Sequence, residues 1–440
     1  MSIESTVLER IVPTKDEMSR ISETAKKLKA VVCNYLSEHD IDIEVQFVGS
    51  FAKGTFLSDP DLDLFLLFPE EVPRKELEAI GLQVGHDVLG GTKMYAEHPY
   101  TRGMYDGLNV DLVPSYNLTS TEQLRTAVDR TPFHTDYVMS HMTDEQRDEV
   151  RLLKKFMKGI DVYGAEPNTR GFSGYLCEIL VMHYGNFLNV LENARNWKEG
   201  TTLVIEKKGP PIIGPLIVYD PVDQRRNVAS AVHIDTLSLF IVAAKAYLQS
   251  PSTKFFFPEE RAPLSRAELE RISERNGSRI ITVIFERPDV IEDNLYSQLW
   301  KTRYALTRKL NDFDYNVLKS VHEMFDNTLE IVFELERDLL SKTYKHAGPP
   351  VWVKAADSFI SKWKTNEYGP PFIEDGCWNV IAERMYFTAK EMLIDEAAIS
   401  GIGREINPNT MKVRDHDASL NETDPQLLTM LMDPKRSWEV

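Results

Sequence analysis

The sequence predicts a multidomain α+β protein, and three observations carry that prediction. Its 440 residues exceed one compact core and suggest roughly three domains of about 100–200 residues each. Apolar residues make up 42% and aromatics 10%, enough to furnish several cores. The periodicity of the apolar positions also changes along the chain, from mixed to helical and back to mixed.

Residues 1–142 read as a mixed sheet with helices. Met18, Ile21, Ala25, Leu28, Val32 and Leu36 recur at helical spacing over 15–39. The runs IDIEVQFV, DLDLFLLF, TKMYAEHPYTRGMY and GLNVDLVPSY are short, β-branched or aromatic, and bounded by Gly, Asp and Pro, so they read as strands. A helix over 74–90 separates the second from the third.

Residues 143–255 read as a helical domain. Thr143 and Gln146 have capping-box spacing ahead of a stripe of Val150, Leu153 and Met157. A second helix starts near Ser173 and continues through Leu176, Ile179, Leu180, His183 and Phe187; a third starts near Asp235. The Gly/Pro-rich stretch 209–221 between them reads as a loop or hairpin.

Residues 256–440 return to mixed structure. SRIITVIF reads as a strand, 293–310 as a helix with Leu295, Leu299, Thr302 and Leu306 inward, and DYNVLKSVHEMF with TLEIVFELE as a hairpin around Asp326-Asn327. AADSFISKW then reads as a helix and WNVIAERMY as a last strand. This β-α-β-β-α-β order is that of a ferredoxin-like sandwich.

Several classes are excluded or disfavoured. No apolar run reaches the roughly 18 residues of a membrane span. The first residues hold no apolar stretch behind a basic start, so no secretion leader is expected. Cys33, Cys177 and Cys377 lie far apart and form no CxxC pair, which points to core thiols in a reducing, cytoplasmic setting. The net charge of −17 opposes phosphate binding, since nucleic-acid binders usually carry a basic face. Screening over about 8–10 Å makes local patches matter more than the total, and acid can be concentrated at a cation site.

The strongest local signal is GSFAKGTFLSDPDLDLFLLF, residues 49–68. Gly49 permits close backbone approach, Ser50 supplies a hydroxyl, and Lys53 brings positive charge one turn later. Residues i and i+2 of a strand share a face, so Asp61 and Asp63 sit side by side. Adjacent carboxylates repel, and hard oxygen ligands of this kind suit Mg²⁺. Asp111, in the largely apolar run Leu108–Val113, supplies a third carboxylate that is costly to bury unpaired. A lone D-x-D is commonplace; the conjunction of strand, Gly-Ser turn, D-h-D strand and third aspartate marks a metal site.

The stretch 49–64 resembles the polymerase-beta-like nucleotidyltransferase superfamily. The further segments DRTPFHTDYV, EVRLLKKFMKGIDVYGAE, RGFSGYLCEIL and DPVDQRRNVA resemble the archaeal-type (class I) CCA-adding enzymes, with the match spanning most of 40–250 and weakening beyond 260. The resemblance implies template-independent addition of C, C and A to the tRNA 3′ end from CTP and ATP. It implies two Mg²⁺ ions on Asp61, Asp63 and Asp111, and a nucleotide held by Gly49, Ser50, Lys53, His134, Lys154, Tyr163 and Arg226, the last reading the base. Lys53 stands where the family often has Arg, giving the charge without the bidentate fork. Without the resemblance, Lys154 would be a solvated helix face, His134 a turn or cap residue, and Arg226 a partner of Asp220 or Asp223.

Lys301, Tyr304 and Arg308 share a helix face that could grip RNA near the acceptor end, and Lys342, Lys345, Lys354, Lys362 and Lys364 form a second basic-rich stretch. The resemblance makes a homodimer plausible. Two other functions fit the same residues: a poly(A)-type enzyme on this catalytic domain, and an inactive RNA-binding scaffold.

Overall fold

The computed structural model describes residues 2–58, 60–95 and 99–440. The chain divides into two compact units, Met1–Glu260 with Arg436–Val440, and Arg261–Lys435.

The first unit opens with α1 (Ile3–Ile11), which the sequence reading missed, and α2 (Lys15–Glu38). A capping box fixes the start of α2, with Thr14 Oγ1 accepting from the Glu17 N–H and the Glu17 carboxylate accepting from the Thr14 N–H. Then follow β1 (Glu44–Val48), the single turn α3 (Gly49–Lys53), β2 (Leu62–Phe68), α4 (Arg74–Leu89), β3 (Thr92–Tyr95), β4 (Pro99–Tyr105) and β5 (Leu108–Tyr116). The run read as one third strand is therefore two antiparallel strands, and 96–98 lie outside the described residues.

The five strands form a mixed sheet in the order β1-β2-β5-β4-β3. Only β2 and β5 run parallel. On one face Leu62, Leu64, Leu66, Val110 and Leu112 pack with Leu28 and Val32 of α2 and with Leu77 and Val84 of α4. On the other, Val48, Phe65, Leu67 and Val113 form a smaller cluster. Strand alternation puts Asp63 and Asp111 on this second face.

The helical part comprises α5 (Thr131–His141), α6 (Asp144–Gly159), α7 (Gly174–Tyr184), α8 (Phe187–Ala194) and α9 (Ile234–Gln249). The expected Thr143–Gln146 box caps α6. Between α8 and α9 run β6 (Thr201–Val204) and β7 (Leu216–Tyr219), which pair in parallel, so 209–221 is not a hairpin. The second predicted helix breaks at Gly185, and Phe187 begins α8. Phe156 of α6 is ringed by Phe187, Phe240, Tyr247, Phe255 and Phe256. The chain's last residues return here, where Trp438 stacks on Phe255 at 5.2 Å.

The second unit contains α10 (Arg266–Asn276), β8 (Arg279–Glu286), α11 (Glu292–Asp312), β9 (Val317–Met324), β10 (Thr328–Leu335), β11 (Thr343–Pro350), α12 (Ala355–Trp363), β12 (Phe372–Glu374), β13 (Cys377–Glu383), α13 (Ala389–Glu396), β14 (Lys412–Arg414), α14 (His416–Glu422) and α15 (Pro425–Met432). The sheet order β14-β8-β10-β9 is the antiparallel order of a ferredoxin-like sandwich. The fold class is as the sequence predicts, but its second half was assigned to the wrong segments. The second helix is α13 and the fourth strand is β14, whereas AADSFISKW and WNVIAERMY belong to an inserted three-stranded sheet, β11-β13-β12, with α12. Helices cover both faces of the main sheet: Leu295, Leu299, Leu306, Met392 and Leu393 on one, Leu269, Leu427, Leu428 and Leu431 on the other.

The cysteines differ from expectation. Cys177 is a core thiol, while Cys33 is exposed and Cys377 half-buried. Among the described residues, no helix is long and apolar enough to cross a membrane.

Packing against α6 yields a test. Gly159 ends this helix, and a Cβ there would come within 2.2 Å of the Phe255 carbonyl oxygen. Helix propensity favours Ala over Gly by about 1 kcal/mol. Overpacking against backbone costs about 1–3 kcal/mol and wins. Gly159→Ala is expected to lower the midpoint of urea unfolding followed by tryptophan fluorescence.

Candidate active site

The site begins with a row of residues running across the five-stranded sheet. Val48, Asp63, Asp111, Arg102 and Thr92 are successive in-register neighbours on β1, β2, β5, β4 and β3. Neighbours in a row present their side chains to one face, so Asp63 and Asp111 are brought together by strand register alone. Asp61 lies one residue before β2 and is exposed, with a carboxylate oxygen accepting from Asn109 Nδ2 at 3.1 Å.

Burial, then the charges of Asp111 and Asp61, push the Asp63 carboxyl up to about 7, against the pull of Lys53 and Arg102. Added positive charge beside this carboxyl would favour its ionised form. Gly49 makes the crowding possible. Its φ is +70°, and a Cβ would stand 1.9 Å from Asp63 Oδ2.

The chemistry of this donor set fits a hard divalent cation. The three carboxylates are not gathered around one point, however, and among the described residues no group of three acidic, histidine or cysteine side chains is. Asp111 is turned to Arg102, whose guanidinium donates to both oxygens, Nε to Oδ1 at 2.7 Å and Nη2 to Oδ2 at 2.6 Å.

The predicted phosphate contacts assemble around a residue the sequence reading did not single out. Glu178 of α7 is fully buried. It accepts from Lys53 Nζ at 2.5 Å, from Thr55 Oγ1 at 2.6 Å and from Lys154 Nζ at 3.1 Å. Lys154 is 3% exposed, so the default reading as a solvated helix face does not hold. Burial alone would raise the Glu178 carboxyl, but Lys53 and Lys154 bring it down to about 2. Burial lowers the Lys154 ammonium despite Glu178, and Lys53 adds repulsion. The hydroxyl of half-buried Tyr163 lies near Lys154, since a Cβ on Gly174 would be 3.0 Å from that hydroxyl and 3.6 Å from Lys154 Nζ.

Helix α6 also carries Arg147 and Arg151 on the face of Lys154. Arg147 Nε donates to the Lys53 carbonyl at 3.1 Å, and Arg151 donates to the carbonyls of Gly54 at 2.6 Å and Phe56 at 2.8 Å. The segment after α3 is thereby held by side chains from the helical part, a role that their (i, i+4, i+7) spacing on one helix face could have suggested.

A second buried carboxylate, Asp220, joins the other predicted residues. It accepts from His134 Nε2 at 2.9 Å, Arg226 Nη1 at 3.0 Å, the Tyr175 hydroxyl at 3.3 Å and the Val222 N–H at 3.1 Å. His134 stacks on Tyr175 with ring centroids 3.8 Å apart. Burial lowers the His134 pKa more than Asp220 raises it. His134 lies inside α5, not in a turn. Asp129, also missed, accepts from Ser115 Oγ, the Tyr116 N–H and the Thr126 N–H, fixing the turn from β5 into α5. Ser50 lies in the α3 turn beside Gly49. Lys301, Tyr304 and Arg308 are exposed on α11 in the second unit. Beside Tyr304, Arg303 stands 4.2 Å from the Trp300 ring centroid.

A mixed sheet carrying a Gly-Ser turn and a carboxylate row, with buried lysines beside it, defines a nucleotidyltransferase. Comparison with known proteins agrees. Residues 26–134 match the model of the nucleotidyltransferase domain, 148–257 that of the tRNA nucleotidyltransferase second domain, and 276–414 that of the CCA-adding enzyme C-terminal domain. The CCA-adding enzyme of Methanosarcina barkeri is 39% identical, over 91% of this chain and 90% of its own. That of Picrophilus torridus is 35% identical over 91% and 92%, and that of Archaeoglobus fulgidus 35% over 87% and 86%. The chain belongs to the CCA-adding enzyme family of tRNA nucleotidyltransferases.

Removing Glu178 tests the ionic centre. Glu178→Ala leaves two buried ammonium groups without their carboxylate and should cost about 3–5 kcal/mol in chemical denaturation. The folded carboxyl at about 2 lies below its ordinary 4.5. Its stabilisation is therefore complete above pH 4.5 and is lost as pH falls toward 2. The unfolding free-energy difference between the unmodified chain and Glu178→Gln should be flat at neutral pH and shrink over that window.

Proposed function

We propose that this protein adds C, C and A to the 3′ end of tRNA from CTP and ATP, without a template. The observation that carries the reading is the in-register pair Asp63 and Asp111 beside the Gly49-Ser50 turn, in a chain of this family. Asp61, Asp63 and Asp111 would hold two Mg²⁺ ions. When bound, the ions supply Lewis acidity and charge neutralisation at the attacking and leaving oxygens.

The RNA 3′-hydroxyl attacks the α-phosphorus in line, and the bond to the bridging oxygen breaks to release pyrophosphate. Ser50 hydrogen-bonds the triphosphate. Lys53, Lys154 and Tyr163 contact its phosphates, the two lysines sharing their charge between Glu178 and the nucleotide. Two ammonium groups on one carboxylate leave a net positive charge, which supports this role.

Asp220 aims Arg226 and His134, and Arg226 reads the Watson–Crick edge of the incoming base. A guanidinium anchored through one nitrogen on a buried carboxylate keeps donors for a base, which supports that assignment. Residues 1–142 carry the carboxylates, 143–255 complete the nucleotide pocket, and 256–440 contact RNA, with Lys301, Tyr304 and Arg308 exposed for the backbone.

The experiment is an extension assay on tRNA lacking its last three nucleotides, with Mg²⁺ and labelled CTP and ATP, followed by sequencing of the products. Addition of C, C and A that then stops is expected. A long A tail would replace the reading with a poly(A)-type activity, and no incorporation would favour an RNA-binding scaffold. Asp63→Asn should lower the rate about a thousandfold or more, the scale of several kcal/mol of lost charge stabilisation. Arg226→Ala should reduce discrimination between the correct and wrong nucleotide by about 5- to 150-fold, the loss of one base contact. Equal slowing with all four nucleotides would contradict the role of Arg226.

A further inference from the structure

Asp111 has two in-register neighbours of opposite charge. Asp63 flanks it on β2 and Arg102 on β4. The Arg102 fork takes both Asp111 oxygens at 2.6–2.7 Å, the bidentate geometry in which guanidinium binds carboxylate most strongly. The two partners differ in burial, with side chains 45% exposed for Arg102 and 13% for Asp111. The carboxylate is thus held in the sheet while the guanidinium approaches from the open side on a long, flexible stem.

Register alone dictates this arrangement. Any strand β4 residue opposite Asp111 would sit on the carboxylate face, and this chain places an arginine there. The row across the sheet therefore carries two carboxylates, Asp63 and Asp111, and one arginine, with Asp61 just before β2. That arginine occupies the oxygens which a cation bridging Asp63 and Asp111 would need.

The geometry points to Arg102 as a resident counter-ion for Asp111, which a divalent metal must displace before Asp111 can act as a ligand. It neutralises part of the carboxylate row in the metal-free protein and lets the sheet fold with Asp63 and Asp111 adjacent. The same contact keeps metal affinity low, because the ion competes for both Asp111 oxygens and is repelled by the guanidinium. The inference rests on the reading of Asp61, Asp63 and Asp111 as metal ligands. It adds that the third ligand is latched.

The opposite role is well defined and predicts the opposite result. Were Arg102 an outer partner that orients Asp111 toward a bound ion, its removal would weaken metal binding, as loss of such partners does.

The test is a titration of the purified full-length protein with Mn²⁺ alone, reading free Mn²⁺ by electron paramagnetic resonance, without nucleotide or RNA. The variants are Arg102→Ala, Arg102→Gln, Arg102→Lys and Asp63→Asn. Arg102→Gln retains size and hydrogen bonding if truncation to Ala perturbs folding, which circular dichroism would reveal. Arg102→Ala and Arg102→Gln are expected to bind Mn²⁺ about tenfold or more tightly than the unmodified protein, with Arg102→Lys between them and the unmodified protein. Unchanged or weaker binding in Arg102→Ala and Arg102→Gln, with binding lost in Asp63→Asn, would overturn the latch and leave the metal site standing. Mn²⁺ binding that is unaffected by Asp63→Asn would overturn the metal site itself, and the latch with it.

Discussion

Strand register sets the terms for the whole carboxylate-bearing face of the five-stranded sheet. Because β2 and β5 pair in parallel with Asp63 opposite Asp111, two carboxylates meet on the same face as the apolar cluster of Val48, Phe65, Leu67 and Val113. Neither can move away without a slip that would carry the apolar residues of β2 and β5 to the wrong side. The surroundings answer that constraint. Gly49 gives up a Cβ so that Asp63 has room, Asn109 holds Asp61, and Arg102 faces Asp111.

Two buried carboxylates, Glu178 and Asp220, organise the protein's own cations. Glu178 gathers Lys53, Lys154 and Thr55, drawn from α3, α6 and the segment between the sheet's first strands. Asp220 gathers His134, Arg226 and Tyr175 from α5, α7 and the turn after β7. Glu178 ties the α3 turn and the residues after it to the helical part, Asp220 draws together elements of the helical part itself, and Arg147 and Arg151 add bonds to the carbonyls of Lys53, Gly54 and Phe56. Buried ion pairs of this kind are weak sources of net stability but hold side chains in defined positions. That is the property a nucleotide site needs. The overall charge of −17 is compatible with such a site because its cations are local and buried with their partners.

The sequence made the strongest periodic elements legible. The helix behind the Thr14 cap, the Thr143–Gln146 box, the strands around Asp61, Asp63 and Asp111, and the hairpin about Asp326-Asn327 were readable from local patterns. Helix α5 was not, because what it buries includes His134 and Thr135, which carry no apolar period. Strand β14 is three residues long, below what alternation can reveal, so the ferredoxin-like order was completed with the wrong strand. The α12 and β13 signals were real but belong to an insertion, and strand pairing is a property of the folded chain. Glu178 was invisible as an organiser because its partner Lys53 lies 125 residues away; for Asp220 the local pairing with Arg226 was readable, but not the bond from His134, 86 residues away. Arg102 escaped for a different reason: it lies only nine residues from Asp111, but the β4–β5 register that brings the two together is a property of the folded hairpin.

The carboxylate row is tested most directly by diffraction. Crystals of the protein grown with Mn²⁺ and a non-hydrolysable CTP analogue would give anomalous density for manganese. The account predicts peaks at about 2.0–2.2 Å from Asp63 and Asp111 oxygens, the range of a small hard cation on carboxylates, with the Arg102 guanidinium withdrawn from Asp111. Ordered nucleotide beside Ser50 with no manganese on Asp63 or Asp111 would contradict it.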